Sequence, residues 1–246
     1  MKRTLLLSLV IAMASSFVVS AQSLNVMAEE NPPFNTAVGG EPSGAATDLF
    51  LAMARQAGIP LERKDIRTMP WAREYDMAQT GPLAVLFPVA RTPAREKLFK
   101  WIGPFYKVQI GLIAPKARHF KFASAIEAAR YSIGTLRDGA PEQALLVAGV
   151  PLASLDRGSS LSGSLKQLHA GRIDMFAFNT AGARYNLRLL GIDPDDYETV
   201  LVLSSPEFYF TLSKDSPDTT VAALQTALDA LKKSGEYAAI IDKFIR

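Results

Sequence analysis

Hydrophobic positions along this chain follow two alternating rhythms, short apolar runs and stretches spaced at three and four residues. Leu24-Asn25-Val26-Met27-Ala28 predicts a short buried strand, stopped by Asn31-Pro32-Pro33 and by a turn from Gly39 to Gly44. From Asp48 to Ala57, Leu49, Phe50 and Met53 share one helical face, and Gly58 with Pro60 ends that helix. Leu61 to Ile66 predicts a second strand, Trp71 to Gln79 a second helix ending at Gly81, and Leu83 to Phe87 a third strand. Regular alternation of strand and helix argues for parallel α/β construction.

The same grammar restarts after residue 130. Tyr131 to Thr135 reads as strand, Glu142 to Val147 and Ser164 to Leu168 as helix, and Asp174 to Phe178 as a buried strand. Val108 to Ala114 runs between the two units, and Phe208 to Ser213 follows the second; both are long enough to be crossover strands. Thr219 to Lys233 keeps Val221, Leu224, Leu228 and Leu231 at helical spacing, stops at Gly235, and leads into a last helix from Tyr237 to Phe244. Two α/β units joined by two crossover strands describe a clamshell. One lobe is expected from residues 22–108 and 206–246, the other from 109–205.

The N-terminus changes the picture of where this fold resides. Lys2 and Arg3 precede an apolar run, Thr4 to Val19, with no ionisable side chain, and Val19-Ser20-Ala21 supplies small residues where a signal peptidase cuts. Residues 1–21 therefore read as a signal peptide, with cleavage between Ala21 and Gln22 and a periplasmic mature chain that does not insert into the membrane. A membrane anchor wants about 20 apolar residues. The chain has no cysteine, so no lipid attachment and no disulfide is available. Its 48% hydrophobic residues are enough for a core in roughly 225 residues. Losing Lys2 and Arg3 takes the formal charge from +3 to +1, which gives no electrostatic case for nucleic acid.

Catalytic patterns are not found in the sequence. His119 and His169 have no metal-ligand partner at nearby spacing, and no nucleophile elbow, phosphate loop or dinucleotide fingerprint is present. No cofactor, metal or catalytic residue is expected. Adjacent carboxylates, Glu29-Glu30 and Asp195-Asp196, point to opposite sides of an extended segment, and Asp195-Asp196 reads as a solvated loop.

One stretch carries positive chemistry. Arg91-Thr92-Pro93-Ala94-Arg95-Glu96 follows a buried strand, comes after Trp71-Ala72-Arg73 and Gln79-Thr80-Gly81, and precedes an aromatic segment from Phe99 to Phe105. Together with Asn31-Pro32-Pro33-Phe34, Ser43 to Leu49, Gly171-Arg172-Ile173-Asp174 and Gly235-Glu236-Tyr237, in that order, it resembles the family 3 solute-binding proteins, the polar-amino-acid receptors of ABC importers. The resemblance covers essentially the whole mature chain. It implies the two-lobed periplasmic-binding-protein clamshell of type II, a monomer, a small polar or anionic solute, and an inner-membrane ABC permease as partner.

Carried over by position, Arg95 matches the arginine that clamps a ligand carboxylate, for which a guanidinium offers two parallel hydrogen bonds. A surface ion pair with Glu96 is the plain alternative. Trp71 falls at an aromatic platform or in the core, and Asn31 lies in the opening loop. Asp138 and Ala140 lie in the second-lobe loop that meets the ligand, where Pro141 suits the first position of a helix whose free N–H groups suit an anion. Two positions depart from the family. Asn179 stands where amino-acid binders carry an aspartate for the ammonium group, and Ala90 replaces a small hydroxyl five residues before the arginine. Glu30 or Asp138 is then the candidate for the missing negative charge, and Arg137 for a second acidic group. Two other readings stay open: an enzyme on the same scaffold, such as a dehydratase of cyclic acids, and a sensory or accessory ligand-binding domain. If the leader reading is right, intact-mass measurement of a soluble periplasmic fraction will find Gln22 at the N-terminus; Met1 retained in membranes will refute it.

Overall fold

The computed structural model describes residues 23–38 and 40–245. The expected leader, residues 1–21, lies outside them. In chain order the elements are β1 (Asn25–Ala28), β2 (Thr36–Val38), β3 (Glu41–Ser43), α1 (Ala45–Gln56), α2 (Trp71–Thr80), β4 (Ala84–Ala90) and β5 (Phe99–Lys107). Then come β6 (Ile110–Pro115), α3 (Ala125–Ala128), β7 (Ile133–Leu136), α4 (Ala140–Val147), β8 (Leu155–Gly158), α5 (Leu161–His169), β9 (Met175–Asn179), α6 (Thr180–Leu189) and β10 (Tyr197–Ser204). The chain ends with β11 (Glu207–Ser213), α7 (Asp218–Ser234) and α8 (Glu236–Phe244).

The long strands form two sheets, ordered β1-β4-β11-β5 and β10-β6-β9-β7-β8. Parallel pairing holds between β1 and β4 and among β7, β8 and β9, whereas β11 runs antiparallel to β4 and β5, and β6 antiparallel to β9 and β10. The sheets are therefore mixed, not parallel throughout. The antiparallel members flank the points where the chain changes sheet, between β5 and β6 and again between β10 and β11. Those two crossings are tied by a hydrogen bond from Val108 N to Pro206 O at 3.0 Å.

Strand periodicity divides each sheet between two helical layers. Val26, Ala28, Val85 and Phe87 pack with α1, α7 and α8, while Met27, Ala84 and Leu86 face Trp71 and Ala78 of α2. In the second sheet Ile113, Phe176 and Phe178 meet α5 and α6, and Leu112, Met175 and Ala177 meet α3 and α4. Each sheet is thus sandwiched, which fixes its register because a one-residue slip would reverse both faces.

Leu61 to Ile66, expected as a strand, is not one. The Glu62 N–H donates to Asp65 Oδ2 at 2.8 Å in a single tight turn, and Arg63 donates to Pro42 O at 2.8 Å and Asp48 Oδ1 at 2.7 Å. Local capping and an ion pair outcompete strand pairing there. Pairing with β1 begins just past the segment, at Arg67, whose backbone bonds Val26 and Ala28.

Phe210 in β11 shows what the first core depends on. It is fully buried, with the rings of Phe105, Phe87 and Phe50 centred 4.5, 5.2 and 5.4 Å away. Phe210→Ala should cost about 3–5 kcal/mol of stability, read as a lower urea midpoint.

Candidate functional site

The carboxyl ends of β1, β4, β7 and β9 converge, and a cavity of about 40 Å3 lies among them. Ligands of α/β proteins bind beyond the carboxyl ends of strands. From the first sheet and its helices come Glu29 and Asn31 past β1, Pro88 and Ala90 on β4, Trp71 at the start of α2, and Arg95. From the second come Leu136, Gly139 and Ala140 around the start of α4, with Phe178 and Asn179 at the end of β9.

Arg95 sits in a turn closed by its own N–H donating to Thr92 O at 2.9 Å. It is only 1% exposed, so it is not a surface partner of Glu96. Glu96 instead takes both hydrogen bonds of Arg91, at 2.8 and 2.5 Å. The Arg95 guanidinium donates to Ala90 O at 3.3 Å and to Asp138 O at 2.9 Å, and Nε has no partner. It also lies 5.1 Å from the Trp71 ring centre and 5.0 Å from that of Tyr75. Burial pushes its pKa down, opposed by Tyr75, Glu29 and Asp138. An arginine nevertheless keeps its charge in a protein. Trp71 is both platform and core: it lines the cavity, stacks on Tyr75, and donates from Nε1 to Asp138 O at 3.1 Å.

The loop after β7 is held by charge. Arg157 donates twice to Glu142 at 2.8 Å and once to Asp138 Oδ1 at 3.0 Å, while Glu142 also accepts from Asp138 N and Thr135 Oγ1, each at 3.0 Å. Burial would raise the Glu142 pKa, but these donors outweigh it and hold the carboxyl below its usual value. With Asp138 at φ 59°, its carboxylate turns to Arg157 and its carbonyl meets Trp71 and Arg95.

Three expected site residues therefore stand outside the inner cavity. The Asp138 carboxylate is committed to Arg157. Glu30 is exposed and lines an outer cavity of about 200 Å3 with Thr68, Ser159 and Ser160. Arg137, also exposed, borders a third space beside Pro70 and Ser159. Arg95, Trp71, Asn31, Ala90, Ala140 and Asn179 do come together.

Asn179 has a second task that its spacing to Gly182 signals. It is the N-cap of α6, accepting from Gly182 N at 2.6 Å, as asparagine does at helix starts. A Cβ at position 182 would meet Asn179 Nδ2 at 2.6 Å, so glycine there keeps the cap possible. Asn179 Nδ2 donates across the cleft to Asn31 Oδ1 at 2.8 Å. Asn31 is set by the loop it opens, where Phe34 is buried among Phe105, Tyr106 and Phe208 and Asn35 donates to Phe87 O at 2.8 Å.

The residue overlooked in the sequence is Glu29. It is 9% exposed, lines the inner cavity, and accepts from Asn31 Nδ2 at 3.3 Å. Burial pushes its pKa up to about 8, against the pull of Asn31 and Arg95. Glu74 of α2, fully buried, is likewise raised to about 8 by burial, although Met69 N donates to it. Among the described residues no group of three His, Cys, Asp or Glu could hold a metal.

Two α/β halves that close strand ends, aromatic rings and a buried arginine around one cleft define a two-lobed protein of the periplasmic-binding-protein kind. The chain belongs to the bacterial extracellular solute-binding proteins, family 3, whose model matches residues 24–246. Among curated protein sequences none matches it. Solved structures with the same fold include a histidine kinase sensor domain with similarity to periplasmic binding proteins (TM-score 0.79, 20% identity, 92% of this chain and 97% of that one). Another is an ABC uptake transporter substrate binding protein from Streptococcus pneumoniae with bound histidine (TM-score 0.78, 17% identity, 89% and 91% covered). A third is the arginine-, lysine-, histidine-binding protein ArtJ from Geobacillus stearothermophilus (TM-score 0.75, 16% identity, 91% and 95% covered). At these identities the likeness is one of fold.

The buried carboxyls make stability depend on pH. Each has a folded pKa of about 8 against an ordinary 4.5, so the folded state holds more protons between those values. The share of stability linked to these two carboxyls is full below about 4.5 and is lost as pH rises toward about 8. Glu74→Gln keeps the oxygen that accepts from Met69 and removes one titration. Between pH 5 and pH 8 in urea it should lose less stability than the parent, by at least about 1 kcal/mol.

Proposed function

We propose that this chain captures a small polar solute bearing a carboxylate, an amino acid or a close relative, and delivers it to an inner-membrane ABC permease. The single observation that carries this reading is Arg95: a guanidinium 1% exposed, at a cavity between the two halves, with one N–H donor unpartnered. A buried cation of this kind wants an anion, and a carboxylate matches its geometry. The bound histidine of the Streptococcus pneumoniae neighbour and the basic amino acids named for ArtJ are consistent with that class.

On this reading the mature, periplasmic protein acts as a monomer and binds without turnover. Lobe one comprises residues 22–108 and 206–246, and lobe two residues 109–205. No helix among the described residues is long and apolar enough to cross a membrane. Ligand held by one lobe bridges to the other and shifts the population toward a closed form. The crossings at 108 and 205, one tied to the other through Val108 and Pro206, are the natural hinge.

Sensing is the second reading, favoured by the likeness to a histidine kinase sensor domain over 97% of that chain. Deleting the gene separates the two: loss of uptake of the bound solute supports transport, whereas intact uptake with a lost transcriptional response supports sensing.

A thermal-shift screen against amino acids, small carboxylates and amines identifies the ligand, because one at 100 times its Kd adds about 2.7 kcal/mol of stability. With a carboxylate so found, Arg95→Ala should weaken binding at least about thirtyfold, since truncating one partner of a desolvated charge pair costs about 2–5 kcal/mol. Calorimetry measures it. Equal affinity in parent and variant removes the clamp assignment.

A further inference from the structure

We propose that Glu29 is the acceptor for a cationic nitrogen on the ligand, so that the inner cavity takes a carboxylate that also carries an ammonium group. This rests on the amino-acid reading above and deepens it. In that reading Arg95 holds the carboxylate and the partner of the nitrogen is unassigned, because Asn179 supplies no charge.

Position comes first. Glu29 directly follows β1, whose neighbour β4 ends at Ala90, the residue whose carbonyl accepts from Arg95. Both side chains line the same cavity. The other carboxyls are placed elsewhere: Glu30 is exposed in the outer cavity, Asp138 is paired to Arg157, and Glu74 is buried in α2 with Met69 N on one oxygen. Glu29 is the carboxyl that the inner cavity contains.

Hydrogen-bond direction comes second. A backbone N–H only donates, so Gly182 N obliges the Asn179 side chain to present oxygen to α6. Its Nδ2 must then donate, and Asn31 Oδ1 accepts at 2.8 Å. The other end of Asn31 is therefore nitrogen, donating to Glu29 Oε2 at 3.3 Å. This relay starts at the cap of a second-half helix and ends by supplying a donor to the Glu29 carboxyl. It orients that carboxyl as an acceptor, and Oε1 is its remaining oxygen.

Charge comes third. The charged and titratable groups facing Glu29 are Arg95, Glu30 and Glu74. A carboxylate bound to Arg95 cancels the one cation that favours ionised Glu29. Only a second positive group can then keep it ionised. Burial holds the free carboxyl protonated at neutral pH, and an ammonium arriving beside it displaces that proton to solvent. The ammonium keeps its own protons, so one proton leaves per ligand bound.

The test uses the mature protein and the twenty L-amino acids, each paired with its des-amino carboxylate. Calorimetry at pH 7 in buffers of different ionisation heat reads affinity and proton release together. The expected result is a preference of at least about tenfold for the ammonium member of a binding pair, with release of close to one proton. Glu29→Gln should lose both the preference and the release while still binding the des-amino carboxylate. If the parent binds an amino acid but ranks its des-amino partner equal, or releases no proton, the role of Glu29 is overturned; so it is if Glu29→Gln keeps preference and release. Proton release from the parent needs no variant, so a misfolded Glu29→Gln leaves the test intact. Binding of no amino acid and no carboxylate defeats the amino-acid reading itself.

Discussion

A guanidinium that is 1% exposed must find in protein groups what water would otherwise supply, and Arg95 is arranged around that demand. Neutral carbonyls of Ala90 and Asp138 take two of its donors, and the rings of Trp71 and Tyr75 cover its faces. Carbonyls and ring faces reduce the cost of the buried charge without cancelling it. The Glu29 carboxyl is near enough to contribute, yet burial pushes it toward its neutral form. The unpartnered Nε completes a site that is one negative charge short. Mutual dependence follows: β4 must end where its carbonyl can accept, the 136–140 loop must turn a carbonyl toward the first half, and α2 must start with an aromatic ring.

The second half supplies that carbonyl through an ion pair between buried Glu142 and half-buried Arg157. Glu142 gathers donors from Arg157, Thr135 and Asp138 N, which pins the start of α4 to β7 and β8. Its neighbour contact, between Asn179 and Asn31, is pinned just as firmly by the α6 cap on one side and by the aromatic seat of Phe34 on the other. Groups that reach across the cleft are thus held by packing in their own half, and the cleft geometry is preorganised.

How much of this was legible in the sequence depended on how local each determinant is. The Thr92-Pro93-Ala94-Arg95 turn is short and self-contained, and its arginine stood out. The layered α/β plan was readable because strand and helix periods differ. Strand direction was not: β11 and β6 are antiparallel because the chain changes sheets beside them, a long-range fact. The choice between Glu29 and Glu30 turned on one residue of register at the exit of β1, where adjacent side chains oppose each other. The pairing of the Asp138 carboxylate was not legible either, because its partner Arg157 lies nineteen residues away on another strand. Leu61 to Ile66 has apolar residues at its two ends, but the charged residues between them cap one another and pair with α1. The α6 cap was signalled by Asn179 and Gly182 at N-cap spacing, a pattern masked by reading Asn179 only as a site residue.

Polar contacts between the halves also bear on how a ligand would control closure. Trp71 and Arg95 meet Asp138 O, and Asn179 meets Asn31, all without help from a bound molecule. A hydrogen bond of this kind contributes on the order of 1 kcal/mol net, so three of them bias the cleft toward closure by an amount comparable to a modest ligand's differential affinity. A ligand shifts the population only by what it adds beyond such contacts. The acceptors in these contacts are all neutral and cannot add what the site lacks, which is negative charge beside Arg95. On the proposed reading, then, hydrogen bonds to neutral acceptors guide the closed geometry, and selection falls to the buried arginine and the Glu29 carboxyl, whose charges are satisfied together by one zwitterion.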